Sequence, residues 1–94
     1  MSNPAHYAPI GRLDGSNAAA AEKDLLALFS ESGASVEVDL SKLDYVSSAG
    51  LRVFLSAAKA AKGKGGTLVL RNPKPAVLEV LQISGFDRIL NIQS

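Results

Sequence analysis

Ser35-Val36-Glu37-Val38-Asp39-Leu40 alternates strictly, with Val36, Val38 and Leu40 on one side and Glu37 and Asp39 on the other. Successive side chains of a strand point to opposite faces, so this run is a strand with one apolar face and one solvated face. A parallel strand covered by helices on both sides reads as a continuous apolar run instead. The alternation therefore predicts a sheet with helices packed on one face only.

On the N-terminal side, Ala18, Ala21, Leu25, Leu28 and Phe29 recur at helical spacing, which predicts an amphipathic helix over 18–32 with Gly33 as its left-handed cap. Asp14-Gly15-Ser16-Asn17 is turn chemistry, and Ser16 or Asn17 is placed to cap that helix. The run from Tyr7 to Leu13 reads as a weak or edge strand because Pro9 lacks a ladder donor, and residues 1–6 read as a loose terminus. On the C-terminal side, Ser41 to Val46 is a connection whose Leu43 and Val46 turn into the core. After Ser47-Ser48 a second helix runs from Ala49 to about Lys62, with Leu51, Phe54, Leu55, Ala58 and Ala61 inward, and Gly63-Lys64-Gly65-Gly66 ends it. Thr67-Leu68-Val69-Leu70-Arg71 is a central type of strand. Asn72-Pro73-Lys74-Pro75 supplies a cap and a first-turn proline to a third helix, with Val77, Leu78, Leu81 and Ser84 inward and Gly85 as its stop. Arg88 to Ile92 is a short last strand.

Strands alternating with helices build a largely parallel α/β sheet through crossovers. With 94 residues, 47% hydrophobic and 20% charged, the chain is one domain over 1–94. A chain of this size buries roughly two thirds of the surface its unfolded form exposes, enough for a single core. The expected compartment is the cytoplasm: no apolar run approaches the ~20 residues of a membrane span, and the first ten residues lack the pattern of a signal peptide.

The composition also removes whole classes of chemistry. Cysteine is absent, which excludes disulfides, thiolate metal sites and a cysteine nucleophile. The single histidine, His6, leaves no material for histidine-based metal or acid–base work. Gly63-Lys64-Gly65-Gly66 follows a helix and precedes a strand, the reverse of a phosphate loop. Glu37 and Asp39 share a strand face, but a carboxylate pair without a pocket is a solvated face. Ser47 and Ser48 have no base beside them in sequence. The reading is a non-enzyme without cofactor or metal. A net charge of +1, no Trp and 5% aromatics give no platform for nucleic acid. Arg52, Lys59 and Lys62 fall on one face of the second helix, which is either a solvated face or a rim contact to an acidic surface.

The segment Asp39-Leu40-Ser41-Lys42-Leu43-Asp44-Tyr45-Val46-Ser47-Ser48-Ala49-Gly50-Leu51-Arg52 holds the remaining signal. Two serines stand at a helix start, whereas a cap needs one hydroxyl. Ala49 and Gly50 follow as small residues read as exposed, although Gly50 costs ~1 kcal/mol of helix propensity relative to Ala. A plain cap and a site of modification or docking both remain open on these residues alone.

The same segment resembles the signature of STAS domains, specifically bacterial anti-sigma factor antagonists. The similarity extends to Gly11-Arg12-Leu13-Asp14, to Gly65-Gly66-Thr67-Leu68-Val69-Leu70 and to the run from Val77 to Asp87, covering about residues 10–92. The resemblance implies a small STAS-type domain with a mixed four- to five-stranded sheet and helices on one face. The family normally opens with two strands before the Gly-Arg-Leu-Asp segment, and ten residues precede it here, so a shortened N-terminal strand region is expected. By the same resemblance Ser48 takes the phosphoacceptor position of a partner-switching pathway, ahead of Ser47, which stands where an acidic residue is usual. The implied partners are an anti-sigma factor that is also a serine kinase of the histidine-kinase-like ATPase superfamily, and a PP2C-type phosphatase. Neither nucleic acid nor membrane is implied, and the chain is expected as a monomer or weak dimer. Asp14, Asp44, Ser47, Ala49, Gly50, Leu51 and Arg52 are the expected partner-binding residues. The competing reading is a STAS scaffold subunit of a lipid-transport or stress-sensing complex, without a phosphoswitch.

Overall fold

The alternating run forms a strand in the middle of a parallel sheet. The structure, a computed structural model, describes residues 5–29 and 35–93. In chain order the elements are β1 (Ala5–Tyr7), β2 (Gly11–Leu13), α1 (Ala18–Ala27), β3 (Ser35–Asp39), β4 (Leu43–Val46), α2 (Ser48–Gly63), β5 (Thr67–Arg71), α3 (Pro75–Ile83), a short 3-10 turn (Phe86–Arg88) and β6 (Asn91–Gln93). Four strands form one sheet in the order β1-β3-β5-β6, while β2 and β4 form a separate pair. Every one of these pairings is parallel.

Register explains the one-sided core. Ala5, Val36 and Leu68 form one cross-strand row, and Tyr7, Val38, Leu70 and Ile92 form another. Both rows belong to the core or pack against it, together with Leu25 of α1 and Phe29 just after it, Phe54 and Ala57 of α2, and Val77 and Leu81 of α3. The opposite face is polar. Arg71 Nε donates to Glu37 Oε1 at 2.9 Å, His6 Nδ1 lies 3.4 Å from Glu37 Oε2, and the Ser35 and Thr67 hydroxyls are 2.8 Å apart. The helices thus cover one face of the sheet, as the alternation requires.

Several expectations change in detail. Ala5 and His6 belong to β1, paired with β3, instead of a loose terminus; residues 1–4 lie outside the described residues. The expected strand over Tyr7 to Leu13 divides at a buried Pro9, because a proline there cannot extend a ladder. The segment read as a connection contains β4, which pairs with β2; four residues are too few to show a period, and the pairing partner is distant in sequence. Leu43 and Val46 are buried as expected. Helix α1 ends at Ala27, with the Leu28 N–H donating to the Leu25 carbonyl in a tightened last turn. The expected end of that helix and its cap at Gly33 lie outside the described residues. Ser84 is exposed, its hydroxyl turned back onto the Leu81 carbonyl at 3.1 Å. The expected strand from Arg88 to Ile92 begins later, at Asn91, because the 3-10 turn intervenes. The α/β class, the four-stranded main sheet and the helices on one face stand as expected; the pairings are all parallel where a mixed sheet was expected, and β2 and β4 add a separate two-stranded pair.

Candidate functional site

Helix α2 begins where β4 ends, and the join is fixed by Leu13 at the end of β2. The Ser47 N–H donates to the Leu13 carbonyl at 2.9 Å, so the last residue before α2 is tied to the neighbouring strand. Ser47 is the N-cap: its backbone is extended, its carbonyl accepts from Leu51 N–H at 2.9 Å, and its Oγ accepts from Gly50 N–H at 3.4 Å. That contact is long for a cap, and it leaves Ser47 half-buried.

Ser48 is different. It is the first helical residue, exposed, and its hydroxyl has no hydrogen-bond partner among the described residues. The two serines therefore divide into a structural one and a presented one.

Gly50 corrects the expectation of an exposed first-turn glycine: it is buried. A Cβ built on it would lie 2.6 Å from the Leu13 carbonyl oxygen and 2.7 Å from Val46 Cγ2. The glycine serves the close approach of α2 to β2 and β4. Leu51 is buried too, so neither residue is open to a partner, whereas Ala49 is half-buried and Arg52 exposed.

Asp14 follows Leu13 directly and so lies in the turn beside the start of α2. Its Oδ1 accepts from the Ser16 hydroxyl at 2.6 Å and from the Ser16 N–H at 3.0 Å, and its Oδ2 accepts from Arg12 Nε at 3.2 Å. The Ser16 hydrogen bonds, aided by Arg12, hold this carboxyl below the usual carboxylate range. Asn17 occupies the N-cap position of α1 but caps nothing with its side chain. It closes the turn instead, accepting from Asp14 N–H at 2.9 Å and donating to the Arg12 carbonyl at 2.8 Å. Gly15, Ala18 and Glu22 on one wall and Ala49, Arg52 and Val53 on the other line a shallow groove between the starts of α1 and α2.

Asp44 points elsewhere. It is exposed and ion-paired with Lys74, the N-cap residue of α3, so it ties β4 to α3. Sequence reasoning missed Tyr45 and Arg12, which the β2–β4 register places directly opposite each other. The Arg12 guanidinium sits 5.0 Å from the Tyr45 ring centroid, and Tyr45 is 45% exposed. An aromatic residue in the serine segment was the available signal; its partner depends on a pairing that sequence does not reveal.

Among the described residues no group of three His, Cys, Asp or Glu side chains is placed to hold a metal ion, and no helix is long and apolar enough to cross a membrane. The site is a presented hydroxyl at a helix start, with the Arg12–Asp14 pair in the neighbouring turn. A family model described as "Mlab, STAS domain" matches residues 10–91. The chain belongs to the STAS domain family. BtrV of Bordetella bronchiseptica, assigned as an anti-sigma factor antagonist, is 46% identical over 76 residues, covering 81% of this chain and 66% of that protein. The anti-sigma-B factor antagonist of Bacillus subtilis is 31% identical over 72 residues, covering 77% of this chain and 66% of that protein. The chain thus spans about two thirds of the length of these curated relatives. A crystal structure from Thermotoga maritima, likewise assigned as an anti-sigma factor antagonist, superposes with a TM-score of 0.82 at 26% identity, over 92% of this chain and 74% of that one. The STAS fold expected from the serine segment is the fold observed.

Proposed function

We propose that this STAS domain is an anti-sigma factor antagonist whose binding is switched off by phosphorylation of Ser48. Unphosphorylated, it docks through the start of α2 on an anti-sigma factor that is also a serine kinase of the histidine-kinase-like ATPase superfamily, and so frees the client held there. The kinase transfers a phosphoryl group from ATP to Ser48, and a PP2C-type phosphatase removes it. The chain binds and is modified; it catalyses nothing. The cytoplasm is the compartment such a cycle requires.

The observation that carries this reading is the division of labour between two adjacent serines. Ser47 caps α2, so the helix start has its hydroxyl, and the exposed Ser48 hydroxyl has no structural task. A scaffold subunit needs only the cap and leaves Ser48 unaccounted for. The names of the relatives at 46% and 31% identity point the same way.

Phosphate adds about −1.5 to −2 charges and three acceptor oxygens. At the first residue of a helix, free N–H groups and the helix dipole accommodate that charge, so the domain stays folded. Binding is lost because a dianion is placed in an interface suited to a neutral hydroxyl. Arg12 is already engaged with Asp14 and Lys74 with Asp44, so neither of these two cations is free to offset it. Asp14 flanks the contact, Ala49 and Arg52 lie on it, and Gly50 and Leu51 support it from beneath, while Asp44, tied to Lys74, stays outside it.

The test is calorimetric titration of the cognate kinase with the wild type, the Ser48→Ala variant and the purified phosphorylated form. Binding by the first two and none by the third is expected, with unchanged circular dichroism. Equal binding by the phosphorylated form overturns the proposal.

A further inference from the structure

Helix α2 carries a second feature that starts at Ser48. Ser48, Arg52, Leu55, Lys59 and Lys62 follow one another at spacings of four, three, four and three, which keeps them within an arc of about 80° on the helix surface. Ser48, Arg52, Lys59 and Lys62 are exposed and Leu55 is half-buried, while Phe54, Ala57 and Ala61 turn to the core. None of the three cations forms an ion pair among the described residues, although Arg52 shares a groove with Glu22. Elsewhere on the molecule Arg12, Arg71 and Lys74 are each paired with a carboxylate, and the other cations without an ion pair among the described residues, Lys23, Lys42 and Arg88, sit in separate parts of the fold and form no row. The uncompensated positive charge on α2 therefore lies on the one face that leads away from the phosphoacceptor.

We infer that this face is a docking track for an acidic surface of the partner bound at Ser48. The inference rests on the proposed function and adds the chemistry of the contact. A body seated on Ser48 and extending along α2 meets Arg52 first, Leu55 as an apolar contact, then Lys59 and Lys62. Carboxylates on the partner complement that order, steer encounter and set orientation. Phosphorylation acts on the same track. An anion one turn N-terminal to a cation is the favourable i, i+4 arrangement, so phosphoserine at 48 draws Arg52 into a pair within the chain. The partner then loses the cation at the head of the track as well as the neutral hydroxyl.

The test compares the unphosphorylated wild type, a track variant (Arg52→Glu, Lys59→Glu, Lys62→Glu) and a control with the same change in net charge (Lys23→Glu, Lys42→Glu, Arg88→Glu). Association with the cognate kinase is followed by stopped flow between about 50 and 300 mM salt, a range over which surface charges become screened. Thermal melts establish that all three are folded. The expected result is a rise in Kd of at least about tenfold for the track variant with loss of its salt dependence, and a change under about threefold for the control. Equal losses in both variants, or none in the track variant, overturn this inference while leaving the Ser48 switch standing. A wild type that binds no kinase overturns both. Wild type that sediments with vesicles of phosphatidylglycerol and phosphatidylcholine through these residues, in place of binding the kinase, assigns the face to a membrane and overturns the inference.

Discussion

A Cβ atom on Gly50 would stand 2.6 Å from the carbonyl oxygen of Leu13, closer than real Cβ contacts allow. That carbonyl also accepts from Ser47 N–H, so one backbone oxygen of β2 positions both the cap and the first turn of α2. Gly50→Ala tests this contact because two effects oppose. Helix propensity alone favours Ala by ~1 kcal/mol. The clash is with backbone and with the side chain of the buried Val46, and overpacking of this kind costs about 1–3 kcal/mol. Urea unfolding is expected to show net destabilisation; a stabilised variant contradicts the close approach.

Ser47 and Ser48 separate by stability. Ser47→Ala removes the cap and is expected to cost about 0.5–1 kcal/mol, at the low end because the bond is 3.4 Å long. Ser48→Ala removes no hydrogen bond and is expected to stay within about 0.5 kcal/mol of wild type. The reverse order in chemical denaturation would exchange the roles assigned to the two residues.

The two faces of the sheet separate in the same way. Leu70 is fully buried, and Leu70→Ala is expected to cost about 2–5 kcal/mol. Glu37→Ala breaks a partly exposed pair with Arg71 and is expected to cost about 1 kcal/mol or less. Comparable losses would mean that the face bearing Glu37 is covered.

Asp14 gives a pH dependence with a definite sign. Its carboxyl is held below the usual range in the folded chain by Ser16 and Arg12. The stability it contributes is therefore present above its unfolded value of about 3.9 and is lost as pH falls through the lower folded value. The Ser16 amide resonance, which reports the bond from its N–H, is expected to titrate with a midpoint below about 3.9 and to lose that step in Asp14→Asn. A midpoint at or above the reference value would contradict the turn geometry.

What was legible in the sequence was whatever is local. The strict alternation at Val36, Val38 and Leu40 gave the one-sided sheet, and the spacing of Leu51, Phe54 and Ala61 gave α2 and its buried stripe. What was not legible depends on pairing across the chain. β4 is a strand because β2 lies beside it, and Gly50 is buried because Leu13 and Val46 converge on it. Asn17 looks like a cap by type, yet its amide is taken by Asp14 and Arg12. At the site, the serine pair marked the place, but only the geometry assigned one hydroxyl to the helix and left the other exposed.

The central claim is that Ser48 is the residue modified. The most direct measurement is intact-protein and peptide mass spectrometry after incubation with the cognate ATPase-type kinase and Mg-ATP, on wild type, Ser47→Ala and Ser48→Ala. One added phosphate on wild type and on Ser47→Ala, absent from Ser48→Ala, is the predicted result. Phosphate retained on Ser48→Ala, or absent from all three while the kinase modifies a control substrate, would contradict the account.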